Sequence, residues 1–397
     1  MKKKILFIYP KMMLGGSTTS LLSLLNCLSP KKYDIDLQLY RNEGELINLI
    51  PSRVNLLPQA FAYNENKVEI LKKYFKFILT GYLFKALYAN AKKHKKGFSE
   101  QVLSEFQARC LSRKNYVKYD FAIGYLEKWA NKYLAWCVNS EKKYTWIHST
   151  FEKIAPIPEL EFSWIEKVDK VVFVAEDCKD DFVSLVPQFY EKAVTIENIL
   201  YSNLIMKRST VIDQTDKFYN IFKEDTRFKI ITVCRLTIET KGIDRIIKCA
   251  YIMKNKGYQF GWYIVGEGED RLDIEKRIKE AKLEDCVILT GMKINPYPYI
   301  RESNLMCMPS RWEGKPIVIT ESKILCVPVV VTEYLSANEQ VENGEEGFVV
   351  ANNDDAIIPI IEKIISSPDI LNKMKNTLRN REYGNREYIK KIEADLL

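Results

Sequence analysis

The sequence lacks the cysteine patterns that build a metal site or a disulfide framework. Its nine cysteines are odd in number, scattered, and never spaced as Cys-x-x-Cys. It also lacks an uninterrupted apolar run of about 20 residues, so no segment is expected to span a membrane. The apolar run at residues 5–9 stops at Pro10, which is too short for a secretory signal. These absences favour a reducing, cytoplasmic location.

Internal repeats and low-complexity tracts are absent as well, which excludes solenoids and disordered tails. The formal net charge is +8, but no nucleic-acid-binding signature accompanies it, so nucleic acid is not expected as a partner. The length of 397 residues exceeds one compact core and suits two α/β domains.

The pattern along the chain predicts strands alternating with helices, hence parallel sheets. We predict an α/β protein of two Rossmann-like, doubly wound domains facing a central cleft, where ligands bind beyond the carboxyl ends of the strands. The predicted boundaries are 1–203 for the first domain, 204–227 for a linker, 228–380 for the second domain, and 381–397 for a C-terminal helix packing back on the first domain.

One segment of the first half, residues 66–118, is predicted to be a helical insertion that is basic and aromatic. Lysines alternate there with Phe, Tyr and Leu, and few acids balance them. Such helices suit an anionic membrane surface, although a solvated helix face explains the same pattern. We keep both interpretations, the first as peripheral attachment to the inner face of the plasma membrane.

The sharpest motif is Arg-Trp-Glu-Gly-Lys-Pro at 311–316, which follows a predicted strand and opens a helix. Gly314 permits close backbone approach to a ligand, and Pro316 suits the first helical position. Free amides at a helix start bind phosphate or sugar oxygens, and Glu313 and Glu321 add carboxylates for hydroxyl groups. A solvated acidic helix face is the alternative explanation.

A second loop after a strand, residues 235–242, carries Arg235 and Lys241. Together they can hold a diphosphate and neutralise the charge that grows on a departing nucleotide, in place of a divalent cation. Three weaker features are Gly266 in a Gly-x-Gly turn, Gly15-Gly16 before the first helix, and His148 at a strand end. Taken singly, each is explained by a turn or a core residue.

The ordered series of these motifs resembles the family-four retaining glycosyltransferases of the GT-B fold. The resemblance covers most of the chain and is strongest over residues 228–350. It implies a metal-independent, retaining enzyme of the hexosyltransferase type that needs no cofactor. It also implies a nucleotide-sugar donor, with UDP preferred, and a glycan or lipid-diphosphate-linked acceptor. Residues 127–129 resemble bacterial capsule and cell-wall transferases in particular.

By this resemblance, the reacting groups are assigned residue by residue. Arg235 and Lys241 would hold the diphosphate, and Glu313 would contact the donor sugar. Glu321 would bind the ribose hydroxyls, and His148 would reach the donor sugar near its reacting face. The donor phosphate oxygen would accept the acceptor's proton on the face from which it leaves, so no protein nucleophile is required.

The remaining implied contacts come largely from backbone groups, with Gly16 approaching the phosphates and Met292 flanking the base. The donor-binding residues implied are Gly15, Gly16, Gly266, Met292, Gly314, Lys315, Pro316, Ile317 and Glu321. The chain departs from the family pattern in three places. The 235–241 spacing is one residue longer, Cys326 replaces a helix-ending glycine, and Lys315 replaces an apolar residue.

Two other classes of protein remain as alternatives. A non-catalytic GT-B subunit that stabilises a partner transferase would typically lose donor-binding residues, whereas this chain keeps Arg235, Lys241, Glu313 and Glu321. A dinucleotide-dependent oxidoreductase would need Gly-x-Gly-x-x-Gly after its first strand, and residues 12–17 do not supply it.

Overall fold

The computed structural model describes residues 2–61, 67–93, 98–385 and 387–395. The chain divides into two compact units. The first comprises Met1–Ile199 and Asn385–Leu397, and the second comprises Leu200–Gly384. Lys95 and Lys96 of the predicted basic segment, together with His94, lie outside the described residues.

The first unit is built on a parallel sheet of seven strands in the order β3-β2-β1-β4-β5-β6-β7. Its strands are β1 Lys3–Tyr9, β2 Tyr33–Leu39, β3 Asn55–Leu56, β4 Asn115–Gly124, β5 Val138–Ile147, β6 Lys170–Phe173 and β7 Ala193–Thr195. The helices that follow them are α1 Gly16–Cys27, α2 Lys67–Leu79, α3 Tyr82–Lys93, α4 Phe98–Cys110, α5 Trp129–Cys137, α6 Phe151–Ile154, α7 Phe162–Ile165 and α8 Glu176–Leu185.

The second unit repeats this design with a parallel sheet of six strands in the order β10-β9-β8-β11-β12-β13. Its strands are β8 Phe228–Val233, β9 Phe260–Val265, β10 Val287–Gly291, β11 Leu305–Met308, β12 Val329–Thr332 and β13 Gly347–Val350. Its helices are α9 Ser202–Arg208, α10 Lys217–Glu224, α11 Ile238–Lys241, α12 Ile243–Asn255, α13 Arg271–Glu280, α14 Tyr297–Arg301, α15 Ile317–Ile324, α16 Ala337–Gln340, α17 Ile357–Ser366 and α18 Pro368–Arg379.

Apolar runs place both sheets in the interior of their units. All six residues of β9 are buried, as are the last five of β1. Each sheet has one hydrophobic cluster on either face, as expected when helices cover a parallel sheet on both sides.

The segment interpreted from the sequence as a linker, residues 204–227, contains structure instead. It includes most of α9 and all of α10, both within the second unit. Ile205, Tyr219 and Phe222 are buried in that unit's core, so these helices pack rather than span a gap.

The C-terminal residues return to the first unit and form the last helix, α19 Tyr388–Asp395. Ile392 is buried in the core beside β1, and Lys391 Nζ donates to the carbonyl oxygen of Thr195 over 3.1 Å. Among the described residues, no helix is both long and apolar enough to cross a bilayer.

Candidate active site

Four loops of the second unit meet at the carboxyl edge of its sheet, because β8, β9, β10 and β11 are parallel and adjacent. The strand order reverses direction between β8 and β11, which is where doubly wound sheets bind ligands. The loop after β8 carries Arg235 and Lys241, and the loop after β11 carries Glu313. The two sharpest sequence motifs therefore flank one topological switch point.

An ion pair joins these two loops directly. Lys241 Nζ lies 2.6 Å from Glu313 Oε1 and 2.9 Å from Oε2. Ser310 Oγ donates to the same Oε1 over 2.7 Å. The Lys241 side chain is 22% exposed and that of Glu313 is 9% exposed, so the pair is shielded but reachable. The lysine that is predicted to bind the diphosphate and the glutamate that is predicted to contact the sugar are therefore in direct contact.

Close backbone packing fixes this arrangement and depends on two glycines. Gly242 has a φ of +64°, and a Cβ there would lie 2.1 Å from the Pro309 carbonyl oxygen. Gly266 has a φ of +149°, and a Cβ there would lie 1.8 Å from the Cys234 carbonyl oxygen. Only glycine allows the loops after β8, β9 and β11 to approach so closely. Arg235 extends from this cluster as an exposed side chain.

The helix after the β11 loop begins at Ile317, one residue later than predicted, because Pro316 is its N-cap. The residues just before this helix are hydrogen-bonded or ion-paired to α16 and to the residue that precedes it. Ser336 Oγ donates to the Gly314 carbonyl, and Gln340 Nε2 donates to the Pro316 carbonyl over 3.1 Å. Lys315 Nζ pairs with Glu339 Oε2 at 3.3 Å. These contacts fix the residues just before α15, whose first-turn amides are unpaired within the helix and can bind an anion.

Glu321 lies one turn into α15 and is only 5% exposed. Its Oε1 accepts a hydrogen bond of 2.7 Å from the Tyr297 hydroxyl. Burial raises the pKa of Glu321 to about 7, although Tyr297 and Arg208 oppose this shift. The Arg208 guanidinium stacks on the Tyr297 ring at 4.9 Å. A carboxyl with such a pKa can both accept and donate hydrogen bonds near neutral pH.

Met292 follows β10 and is 46% exposed at the rim of a cavity of about 640 Å³. Lys293 lines the same cavity and pairs with Asp216 at 2.6 Å. Asp216 also accepts a 2.8 Å hydrogen bond from the Tyr299 hydroxyl. The segment taken for a linker therefore contributes to this edge of the second unit.

Cys326, which stands where the family has a helix-ending glycine, keeps the backbone conformation of that glycine. This residue has a φ of +59°, the left-handed conformation that glycine adopts most easily at a helix end. Its amide donates to the Lys323 carbonyl, and the Val327 amide donates to the Ser322 carbonyl, both over 3.0 Å. This is the hydrogen-bond pattern of a Schellman motif, so cysteine keeps the turn that a glycine would form.

The predicted residues of the first unit gather at the carboxyl edge of its own sheet. Gly15 is the N-cap of α1 and Gly16 its first residue. Ser20 of α1 lies 2.8 Å from the Tyr125 hydroxyl, and the Tyr125 ring lies 5.3 Å from that of His148. Tyr125 therefore links the glycine-led helix to the histidine.

His148 is held as a neutral, oriented imidazole. Its Nε2 lies 3.2 Å from the Tyr125 carbonyl oxygen, so Nε2 carries the proton and Nδ1 keeps a lone pair. Burial lowers the pKa of His148 below 6.5, and the nearby Glu127 carboxylate opposes this. Glu127 accepts hydrogen bonds from the His148 amide at 3.1 Å and from Ser149 Oγ at 3.2 Å.

Sequence reasoning missed Ser310, Tyr297 and Asp244 as partners of the motif residues. Asp244 forms a two-pronged ion pair with Arg311, at 2.9 and 2.6 Å. No spacing rule signals these partners. Within the described ranges, no group of three His, Cys, Asp or Glu side chains is placed to hold a metal ion. Metal independence stays a prediction.

Residues 213–381 match the family model described as glycosyl transferases group 1. This range lies wholly within the second unit and includes every motif residue of the β8–β11 loops. The second unit thus matches the group 1 glycosyl transferase model over most of its length. The resemblance of this unit to glycosyltransferases is confirmed, and the retaining mechanism stays a prediction.

Curated relatives agree over part of their length. The chain is 31% identical over 134 residues to the amylovoran biosynthesis glycosyltransferase AmsK of Erwinia amylovora, covering 32% of this chain and 33% of AmsK. It is 26% identical over 132 residues to the Escherichia coli UDP-Gal:alpha-D-GlcNAc-diphosphoundecaprenol alpha-1,3-galactosyltransferase, covering 33% and 34%. The chain thus spans about a third of the length of these relatives.

A solved structure extends the likeness to the whole chain at the level of fold. The Anabaena protein HepE, crystallised with UDP and glucose, has a TM-score of 0.69 and 16% identity. The alignment covers 99% of this chain and 100% of HepE. The predicted GT-B fold, with two Rossmann-like parallel-sheet domains, is confirmed.

Proposed function

We propose that the chain is a retaining, metal-independent glycosyltransferase of surface polysaccharide synthesis. It moves a sugar from a nucleotide-sugar, with UDP as the preferred nucleotide, to a glycan or lipid-diphosphate-linked acceptor. The names of AmsK and of the Escherichia coli galactosyltransferase support this pathway and this acceptor class. HepE, with UDP and glucose bound, supports the nucleotide.

The observation that carries the proposal is the ion pair between Lys241 and Glu313 at the switch point of a group 1 domain. An ammonium has three N–H groups, so Glu313 leaves room for a phosphate oxygen on Lys241. The exposed Arg235 guanidinium in the same loop supplies a second cation. Two cations at this edge would stabilise the charge that develops on a departing nucleoside diphosphate.

In the proposed reaction, the bond between the anomeric carbon and the β-phosphate oxygen breaks as an acceptor oxygen bonds to that carbon on the same face. The acceptor's proton passes to the departing phosphate oxygen, giving a glycoside and a nucleoside diphosphate. In this reaction, Lys241 and Arg235 bind and orient the diphosphate. Glu321 binds the ribose, and the neutral His148 orients the sugar.

The first experiment measures nucleotide release from UDP-, GDP- and ADP-sugars in the presence of EDTA, with a lipid-linked glycan extract as acceptor. We expect release from a UDP-sugar, and an unchanged anomeric configuration in the product by NMR. Release that requires added metal, or an inverted product, would correct the mechanism. Neither release nor calorimetric binding of any donor would favour the non-catalytic subunit.

The site assignment is tested by Lys241→Ala, which should lower the transfer rate by at least about 100-fold, because the leaving group loses a preorganised cation. The matched control is Lys248→Ala, a lysine of α12 that pairs with the exposed Asp355. Its activity should stay near that of the unmodified protein. Equal activity of a well-folded Lys241→Ala variant would refute the assignment.

We also propose that the protein attaches peripherally to an anionic membrane, and exposed side chains of helices α2 and α3 support this. Apolar side chains form an exposed stripe along each helix, including Leu79 at 86% exposure and Phe84 at 68%. The stripe members are Val68, Leu71, Phe75, Leu79, Phe84, Leu87 and Tyr88. Exposed Lys72 neighbours them on α2, which complements an anionic surface.

Vesicle co-sedimentation at low salt tests this attachment. The variant Leu79→Glu/Phe84→Glu should lose binding to vesicles that contain phosphatidylglycerol, because two charges would have to enter the apolar interface. The control is Leu272→Glu, which changes a leucine of the second unit that is 81% exposed. If the unmodified protein does not sediment with such vesicles, the attachment is refuted while the transferase proposal stands.

A further inference from the structure

A second cavity lies in the first unit, away from the predicted donor-binding groups. Its volume is about 320 Å³, and four cationic side chains line it, namely Lys73, Lys76, Arg109 and Lys114. The described residues that line it include no carboxylate. A water molecule occupies about 30 Å³ in the liquid, so the cavity has room for a phosphate group with part of its substituent.

The positive charge of this cavity is not balanced from within. Lys76 and Lys114 are exposed and form no ion pair with any described residue. Arg109 Nη1 lies 3.4 Å from Glu105 Oε1, and the exposed Glu69 carboxylate interacts electrostatically with Lys73. Glu105 is fully buried, and burial raises its pKa to about 7, so its compensating charge is partial at neutral pH. Like charges held this close repel, and an anion would relieve that repulsion.

An aromatic wall holds the guanidinium in place. The Arg109 guanidinium stacks on the Trp136 ring at 4.1 Å and approaches the Phe77 ring at 5.8 Å. Such stacking leaves the edge of a guanidinium free to form two parallel hydrogen bonds with a phosphate. Lys167 Nζ lies 5.0 Å from the Trp136 ring and adds further positive potential. The cavity thus combines an oriented guanidinium with the ammonium groups of flexible lysine side chains.

The position of the cavity separates it from the predicted site. Lys114 directly precedes β4, and Trp136 and Cys137 directly precede β5, so the cavity lies at the amino ends of these strands. Gly16 and His148 lie at the carboxyl ends of β1 and β5. Because the strands are parallel, these are opposite edges of one sheet.

We propose that this cavity binds a phosphate group, carried either by a soluble phosphate or by a lipid headgroup. The proposal does not depend on the transferase activity, because it rests on cations that the proposed reaction does not use. The stripe of α2 that we assign to membrane contact lies on a different face of the helix from Lys73 and Lys76, so the two surfaces can be tested separately.

The test replaces the six tryptophans with 5-fluorotryptophan and follows their ¹⁹F resonances. Trp136→Phe assigns the cavity signal, and Trp312, 53% exposed in the β11 loop, reports the predicted donor site. Sodium phosphate, sodium pyrophosphate and phosphatidate vesicles are the probes, against sodium chloride at equal ionic strength. We expect a saturable shift of the Trp136 resonance with phosphate or with phosphatidate.

Variants decide whether the cavity causes the shift. Lys76→Ala/Lys114→Ala should weaken binding by at least about tenfold, because two charge-assisted contacts are lost. Lys76→Arg/Lys114→Arg should keep it, as should the control Lys118→Ala, which removes an exposed lysine of β4 paired with Glu141. A shift with inorganic phosphate identifies a soluble ligand, and a shift with phosphatidate alone identifies a lipid headgroup. No shift with any probe, or one that the double alanine variant leaves unchanged, overturns the proposal.

Discussion

The two units share one strand order and differ in what their connections carry. In the second unit, the connection from β10 to β11 contains only the five residues of α14 as helix. In the first, the corresponding connection from β3 to β4 contains α2, α3 and α4. This crossover thus carries one short helix in the second unit and three longer helices in the first, whose sheet also has a seventh strand, β7.

The loops at the carboxyl edges of the two sheets also differ in how closely they pack. Around the second switch point, two glycines and the ion pair of Lys241 with Glu313 tie neighbouring loops together. In the first unit, a Cβ on Gly15 would meet no atom within 4 Å. The loops at the second switch point are thus closely packed, whereas the loop before α1 leaves open space beside Gly15. The family model matches residues 213–381, which lie within the second unit.

The largest expected effect compares a buried lysine in each unit. Lys132 in the first unit is 1% exposed and pairs with Glu161 at 3.1 Å. Lys132→Met should lower the free energy of unfolding by about 3–5 kcal/mol, because it strands a buried carboxylate. Lys323→Met in the second unit should cost about 1–2 kcal/mol, since Glu346 keeps Arg381 as a cationic partner at 3.0 Å.

Urea denaturation measures both losses, and amide hydrogen exchange locates them. Protection should fall in α4 and α5 for Lys132→Met and around α15 for Lys323→Met. Equal losses would mean that the remaining neutral donors on Glu161, from Gln101 and Trp164, compensate as well as an arginine does.

Much of the fold follows from the sequence because apolar strands must be buried. The carboxyl halves of β4 and β5 are buried and largely apolar, which is typical of a strand in a parallel sheet. Their amino halves are largely exposed and polar and lack this signal, and pairs such as Lys118 with Glu141 at 2.7 Å connect them. Helices α9 and α10 were taken for a linker because their buried faces are short and their other faces are charged.

The site was less accessible to sequence reasoning, for a physical reason. Loop spacing predicts Arg235, Lys241, Glu313 and Glu321 as site residues, because each lies at a strand end or a helix start. Spacing does not reveal contacts between distant elements, such as the hydrogen bond from Tyr297 to Glu321. It also gives no sign of the cationic cavity, whose lining is assembled from separate helices and strand ends.

The second prediction compares two buried glutamates, Glu321 in the second unit and Glu105 in the first. Burial raises the pKa of each to about 7 from an ordinary value of 4.5. Between those values the folded state binds more protons than the unfolded state, so stability falls as the pH rises. Glu321→Gln and Glu105→Gln should each remove this loss. The free energy of unfolding of each variant, relative to that of the unmodified protein, should therefore rise between pH 4.5 and pH 8, by up to about 3 kcal/mol.

Donor binding should separate the two glutamates. Glu321→Gln should weaken binding of a UDP-sugar, because a ribose-binding carboxylate is lost, while Glu105→Gln should leave it unchanged. Thermal unfolding from pH 4.5 to 8 and calorimetry with the donor give both quantities. A gain in stability that does not grow with pH would contradict the raised pKa values.

The smallest expected effect compares two glycines that each precede the first long helix of a unit. Gly242→Ala should lower the free energy of unfolding by about 2 kcal/mol, since alanine disfavours a φ of +64° and its Cβ would strike the Pro309 carbonyl oxygen. Gly15→Ala should change it by less than about 1 kcal/mol, because Gly15 is extended and its surroundings are open. Urea denaturation of both variants measures the difference. Comparable losses would mean that the loop before α1 is as constrained as the loop before α12, and the contrast in packing between the two loops would fail.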